Sequence, residues 1–452
     1  MRHLTSMTAV SCGLLMLAVC AARADSQVTA FVDVTVVPMD QERAVPHQTV
    51  IVRDGLISAV KSHIDLPKGA HVVNAGGLFL SPGLADMHTH SKTSGDLKVY
   101  LANGVTSILN MGGATAGFMD STRPAVNEGR LPGPHVYAAF MIDGSPQFNN
   151  FFVSTPEEAR AMVRIAKTNG YEFMKVYNDL SPACFQALID EGKAQHVPVI
   201  GHGVTAVGLR RQLDAGQLMV AHTEEFMYTV FFDPNHIPDD GAPSASQIPG
   251  AIEFVLRDHA FVTADLATYG AIAKQWGKKG VAAELLRDPK ASYLRPEDRL
   301  LWAREEYATR KGSSDSRLAF LQVFTKAMSD AGVPLILGTD APSIGGLVPG
   351  FSVHDDLDAL QAAGLSRFQA LSTATRTAGE FVARALPAAE RFGVVAPGYR
   401  ADLLLTAENP LVNLATLRTP LGVMARGTWY EASSLKATLD ALSQEYASAS
   451  VH

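Results

Sequence analysis

The segment Ser81-Pro82-Gly83-Leu84-Ala85-Asp86-Met87-His88-Thr89-His90 decides how the rest of the chain is read. It is a short apolar run, punctuated by Pro82-Gly83 at its start and ended by two histidines one residue apart. Side chains on a strand alternate with a period of two, so both imidazoles face one side and can share a cation. With 14 histidines in 452 residues, about 0.4 such pairs arise by chance, so the pair needs its context to carry weight.

That context is a long alternation of short apolar runs and helical stretches between Leu80 and about Ala385, the pattern of a parallel sheet with crossover helices. Eight strand candidates fall at 83–88, 105–110, 136–142, 173–177, 197–201, 219–222, 261–267 and 334–338. Helices are expected between them. Thr155-Pro156-Glu157-Glu158 reads as a capping box with Pro at the first helical position, and Ser366 to Gln369 repeats the pattern. The fold class predicted is α/β, a (β/α)8 TIM-type barrel over residues 81–385. Residues 271–316, charged around Trp276 and Trp302, read as a helical insertion near its mouth. On either side the texture turns to short β runs and turns, such as Asp54-Gly55, Gly76-Gly77 and Gly427. Segments 25–80 and 386–452 are therefore expected to build one small composite β-sandwich domain.

Composition agrees with a folded chain that has a large core, at 47% hydrophobic and 18% charged residues. The formal charge is −7 and no Lys/Arg-rich run exists, which excludes nucleic acid as a partner. Arg2 precedes an apolar stretch of 14 residues, 9–22, and Ala22-Arg23-Ala24 supplies small residues at a cleavage site. Residues 1–24 are expected to be a signal peptide, placing the mature chain in the periplasm or outside the cell. Cleavage would remove two of 38 cationic residues and none of the 45 acidic ones, taking the charge from −7 to −9. Of the three cysteines, Cys12 and Cys20 would leave with it, so Cys184 alone remains and no intramolecular disulfide is expected. The stretch is shorter than the ~20 residues of a membrane span, so no stable membrane insertion is expected.

Later strand ends carry more polar residues: Lys175 in Phe173-Met174-Lys175-Val176-Tyr177, His202 after Gly201, His222 after Ala221, and Asp340 after Thr339. With His88 and His90 they make six polar residues at five strand ends, on the face where barrels place active sites. Lys175 stands out, because an ammonium inside an apolar strand is costly to bury unless neutralised or paired.

This ordered set, with its flanks, resembles the amidohydrolase superfamily, and within it the imidazolonepropionase-like and prolidase-like dipeptidase branch with a binuclear metal centre. Gly398-Tyr399-Arg400-Ala401-Asp402-Leu403 with Asn409-Pro410-Leu411 is similar to the family's returning β segment, and Thr339-Asp340-Ala341-Pro342 to its eighth strand. The resemblance implies two divalent ions, zinc first, with manganese, cobalt or iron as alternatives. His88, His90 and Asp340 would hold one and His202 and His222 the other. Lys175, carboxylated by carbon dioxide to a carbamate, would bridge them. It implies hydrolysis of an amide or peptide bond in a small-molecule substrate, a dipeptide or N-acyl amino acid, by a hydroxide shared between the ions. Asp340 would move the proton, and Tyr228 would donate to the developing oxyanion.

The same scaffold serves a lactone, an ester or a phosphotriester, and a mononuclear deaminase or cyclic-amide hydrolase stays open through Glu225, three residues past His222. A non-enzymatic descendant is disfavoured because all six positions are filled. Tyr177 shares the face of Lys175 and is a pocket candidate. His354 is left outside the metal site, and His63, His71 and His259 read as structural or solvated. Arg210 and Arg211 read as a solvated helix face rather than a carboxylate grip. Specificity is assigned to residues 143–152, 224–240 and the insertion. A homo-oligomer is compatible with the sequence.

Overall fold

The computed structural model describes residues 28–146, 151–234, 236–238 and 240–449. The predicted signal peptide, 1–24, lies outside them, as do residues 147–150 of the 143–152 loop.

Eight strands form the barrel: Leu84–Thr89, Val105–Asn110, His135–Asp143, Phe173–Val176, Val199–Gly201, Met219–Val220, Phe261–Thr263 and Leu335–Ile336. Successive strands pair in parallel all along this order. The seam between last and first is closed by Met87 N donating to Leu337 O (2.9 Å) and Asp340 N to His88 O (2.7 Å), beside a parallel bridge from Thr89 to Ala341. One buried cluster takes Ala85, Leu109, Tyr137, Phe173, Ile200, Met219, Phe261 and Ile336, a residue from every strand, and so fills the barrel beneath its mouth.

Each strand falls on a predicted segment; most ends differ by a residue or two, and two of the differences bear on the site. The seventh stops at Thr263, because Asp265 adopts a left-handed φ of 33° and caps the helix Leu266–Gln275, where the sequence reading ran the strand to Ala267. The sixth stops at Val220, which leaves His222 on the loop beyond it. Both predicted capping boxes form, at Thr155–Glu158 and Ser366–Gln369.

The two chain ends form the second, β-rich domain. Its eight strands make one continuous sheet, and the joint lies where Phe79–Pro82 pairs antiparallel with Leu403–Thr406. Residues from both ends, Phe31, Val50, Leu80, Leu403 and Met424 among them, share its core. The β texture of the C-terminal segment did not foretell the helix Ala432–Ala449 that follows the last strand. That helix packs Leu442 and Tyr446 on Val99 of the first barrel helix, Ser94–Ala102. The approach needs Gly95, since a Cβ there would collide with the Tyr446 hydroxyl. No helix among the described residues is long and apolar enough to cross a membrane.

Candidate metal centre

The strand ends converge. His88 and His90 leave the first strand where its ladder to the second shifts register between Asp86 and Thr89, and a local bulge of this kind re-aims side chains. His90 Nε2 lies 3.0 Å and His88 Nε2 3.7 Å from the same Asp340 oxygen. Lys175 Nζ reaches to 3.2 Å from His88 Nε2. The His222 ring centroid lies 4.3 Å from that of His88 and 4.9 Å from that of His202. His88, His90 and Asp340 have ligand atoms within one ion's reach, as do His88, His222 and Asp265.

The outer nitrogens of these rings are already committed. His88 Nδ1 faces Ala221 O at 3.1 Å, His90 Nδ1 faces Gly112 O at 3.1 Å, and His222 Nδ1 pairs with Asp265. His202 Nδ1 lies 2.6 Å from Glu225 Oε1, although out of line for a hydrogen bond. A carbonyl or carboxylate at Nδ1 holds the proton there and leaves the Nε2 lone pair for a metal. His90 Nε2 then lies 3.0 Å from a carboxylate oxygen, a separation that a proton or a cation bridges. The donor set therefore fits divalent ions.

Electrostatics point the same way. Burial, then the neighbouring Lys175, holds the His88 and His202 imidazoles well below their ordinary pKa, so they are neutral ligands at neutral pH. Burial lowers His222 too, against the pull of Asp340. For Asp340 burial raises the pKa, but the His90 hydrogen bond and the charges of His90, His222 and Lys175 outweigh it and leave the group at about 2. Lys175, 1% exposed, is lowered to about 8 by burial.

A cavity of about 1230 Å³ opens over the centre, lined by His90, Lys175, His202, His222 and Asp340 together with Tyr177, Tyr228 and Tyr269. Tyr177 stacks against His202 with ring centroids 4.0 Å apart. The Tyr228 hydroxyl donates to Glu224, so in this conformation its proton is committed rather than offered to an oxyanion. Glu225 is spent behind His202, where Oε2 accepts from Gly203 N at 2.9 Å and Asn178 Nδ2 at 3.2 Å.

Sequence reasoning missed Asp265, the partner of His222, and Asp86, which accepts from Thr339 Oγ1 at 2.6 Å and Thr339 N at 3.1 Å. Asp86 had a signal, since it precedes His88 by two residues on the same strand. Asp265 had only its place at the end of the seventh strand. His354 is buried away from the cavity, with Nε2 3.0 Å from Asn103 O. His63, His71 and His259 are exposed. Arg210 and Arg211 lie exposed on the helix Leu209–Ala215, with the Arg210 guanidinium 4.6 Å from the Phe254 ring centroid.

A sequence profile described as the Amidohydrolase family matches residues 79–430. The chain is similar to an imidazolonepropionase of Vibrio cholerae serotype O1, 36% identical over 87 residues, or 18% of this chain and 21% of that protein. It is 26% identical to a dihydroorotase of Anaeromyxobacter dehalogenans over 240 residues, 50% of this chain and 51% of that one. The first curated relatives are thus matched over about half of their length or less. A solved structure described as a Xaa-Pro dipeptidase with bound methionine in the active site shares the fold, with a TM-score of 0.66, 17% identity, and coverage of 90% of this chain and 100% of that one.

Proposed function

Since the chain belongs to the Amidohydrolase family, we propose that it is a binuclear metal-dependent hydrolase that cleaves the amide bond of a dipeptide or N-acyl amino acid. The observation that carries this reading is Lys175. It is an amine with 1% exposure among imidazoles, and among the described residues it has no carboxylate within ion-pair distance. A buried ammonium without a counter-charge costs several kcal/mol in a purely structural core. An amine whose pKa falls to about 8 has a neutral fraction at physiological pH, and only the neutral amine adds carbon dioxide. As the carbamate, Lys175 would offer anionic oxygens between the ligand groups.

His88, His90 and Asp340 would hold one ion and His202 and His222 the other, with Lys175 shared. When bound, the ions supply Lewis acidity, which lowers the pKa of water and polarises a carbonyl. The remaining work falls to side chains. Asp340, ionised at neutral pH, is placed to accept the proton of the attacking water and return it to the leaving amine. Asp265 holds the His222 ring in register from behind, and Glu225 lies behind the His202 ring. The dipeptidase described above and the amide chemistry of the family's name support the bond class. The N-terminal segment supports export to the periplasm.

The test is elemental analysis with a hydrolysis panel of dipeptides and N-acyl amino acids. Purified protein should carry about two divalent ions per chain, and Lys175→Ala should lose at least one together with activity. A variant that keeps its full metal content rules out the bridge.

A further inference from the structure

The insertion brings unspent cations to the cavity. Trp276 and Tyr307 stack with ring centroids 6.3 Å apart, and the indole is fixed by Trp276 Nε1 donating to Lys311 O at 2.7 Å. The Arg310 guanidinium lies 5.6 Å from the Trp276 ring centroid. Arg304 and Arg310 are exposed, both line the cavity that holds Asp340 and Lys175, and among the described residues neither has a carboxylate within ion-pair distance. Nearby arginines are used differently: Arg295 is paired with Asp298 at 2.7 Å, and Arg317 donates to the Pro238 carbonyl. Glu306 is the one acidic residue of the insertion on the cavity lining. The chain as a whole carries −7, so two guanidinium groups without a carboxylate partner on the lining of this cavity run against its overall charge.

A guanidinium held on an aromatic face keeps its fork of donors in a fixed plane, the geometry that matches a carboxylate with two parallel hydrogen bonds. The cavity, about 1230 Å³, is larger than the ~300–1,000 Å³ of ordinary small-molecule sites, so a substrate can extend from the centre to the insertion. Building on the hydrolase reading above, we propose that Arg304 and Arg310 bind the free carboxylate of the amide substrate. The insertion thereby makes the enzyme selective for acyl amino acids and peptides with an unblocked C-terminus. The specificity element is thus the charged insertion, and the barrel loops shape the remainder.

The experiment compares the metal-replete protein with its R304Q/R310Q variant on N-acetyl-phenylalanine and on N-acetyl-phenethylamine, the same amide without the carboxylate. The aromatic side chain is chosen because Phe140 and Tyr171 line the same cavity. The parent should favour the carboxylate substrate about a hundredfold in kcat/KM, and the variant should lose at least about tenfold of that preference through KM. Its kcat/KM on the phenethylamide should stay unchanged. An equal preference in parent and variant overturns the proposal, as does cleavage of both amides at one rate by the parent. Calorimetric binding of N-acetyl-phenylalanine to the metal-stripped proteins reads the arginines without turnover and should weaken about tenfold in the variant. Equal binding overturns the proposal. Binding that depends on the arginines, with neither amide cleaved, instead sinks the hydrolase reading and leaves the carboxylate site standing.

Discussion

Lys175 is the residue whose chemistry is most exposed to test. Burial lowers its pKa to about 8, while Asp340, Glu225 and Asp265 pull it back up, against 10.5 for an ordinary lysine. Between pH 8 and 10.5 the unfolded chain holds this proton and the folded chain does not, so its contribution to stability improves as pH rises through that window. Below pH 8 the full cost of a buried charge is present. Lys175→Met in metal-stripped protein should therefore melt above the metal-stripped parent at pH 7, by the equivalent of ~1–4 kcal/mol. That lead should shrink as the pH climbs from 8 to 10.5. A lead that stays constant over this range, read by thermal unfolding, would show that the folded chain keeps the lysine protonated up to its ordinary pKa, with no depression by burial.

At the scale of elements, the barrel depends on its seam. Asp86 sits on the first strand and holds the eighth through Thr339, while also accepting from His88 N at 3.3 Å and Tyr100 OH at 3.3 Å. Replacing it with Ala leaves several buried donors without an acceptor. The expected loss is ~2–4 kcal/mol in urea unfolding, with impaired metal retention because His88 and Asp340 flank the same seam. Thr155 offers a contrast. Its hydroxyl accepts from Glu158 N at 3.2 Å in an exposed capping box, and it is not on the cavity lining. Thr155→Ala should cost about 1 kcal/mol and leave hydrolysis untouched. If both variants lose activity equally at equal stability, the seam has no special role.

At the scale of the molecule, Arg400 joins the two domains. It is 1% exposed, with Nε 2.7 Å from Asp402 Oδ2, and it reaches Ser107 and Tyr137 on the second and third barrel strands. Asp402 in turn accepts from Arg426 N at 2.8 Å on the returning sheet. Removing one partner of a buried ion pair strands the other, so Arg400→Leu should cost about 3–5 kcal/mol. Hydrogen exchange should show the loosening first in the Leu403–Thr406 strand, while the strand-end ligands keep their protection. A stability loss below 1 kcal/mol would mean that the domains are joined by their apolar contacts alone.

The eight strands, both capping boxes and the six strand-end residues that converge were legible in the chain itself. Periodicity, turn residues and Ser/Thr-to-Glu spacing are local signals, and a barrel repeats them in order. What pairs with what was not legible. Asp265 lies 43 residues from the His222 it orients, and Asp86 lies 253 from the Thr339 it holds. Tyr228 was read as a donor to an oxyanion, and only the structure shows its hydroxyl donating to Glu224. The carboxylates behind the ligands, the helix Ala432–Ala449 against the first barrel helix and the arginines over the cavity all depend on which distant segments burial brings together. A sequence sets the alternation of a strand, but only the closed barrel decides which groups lose water in each other's company.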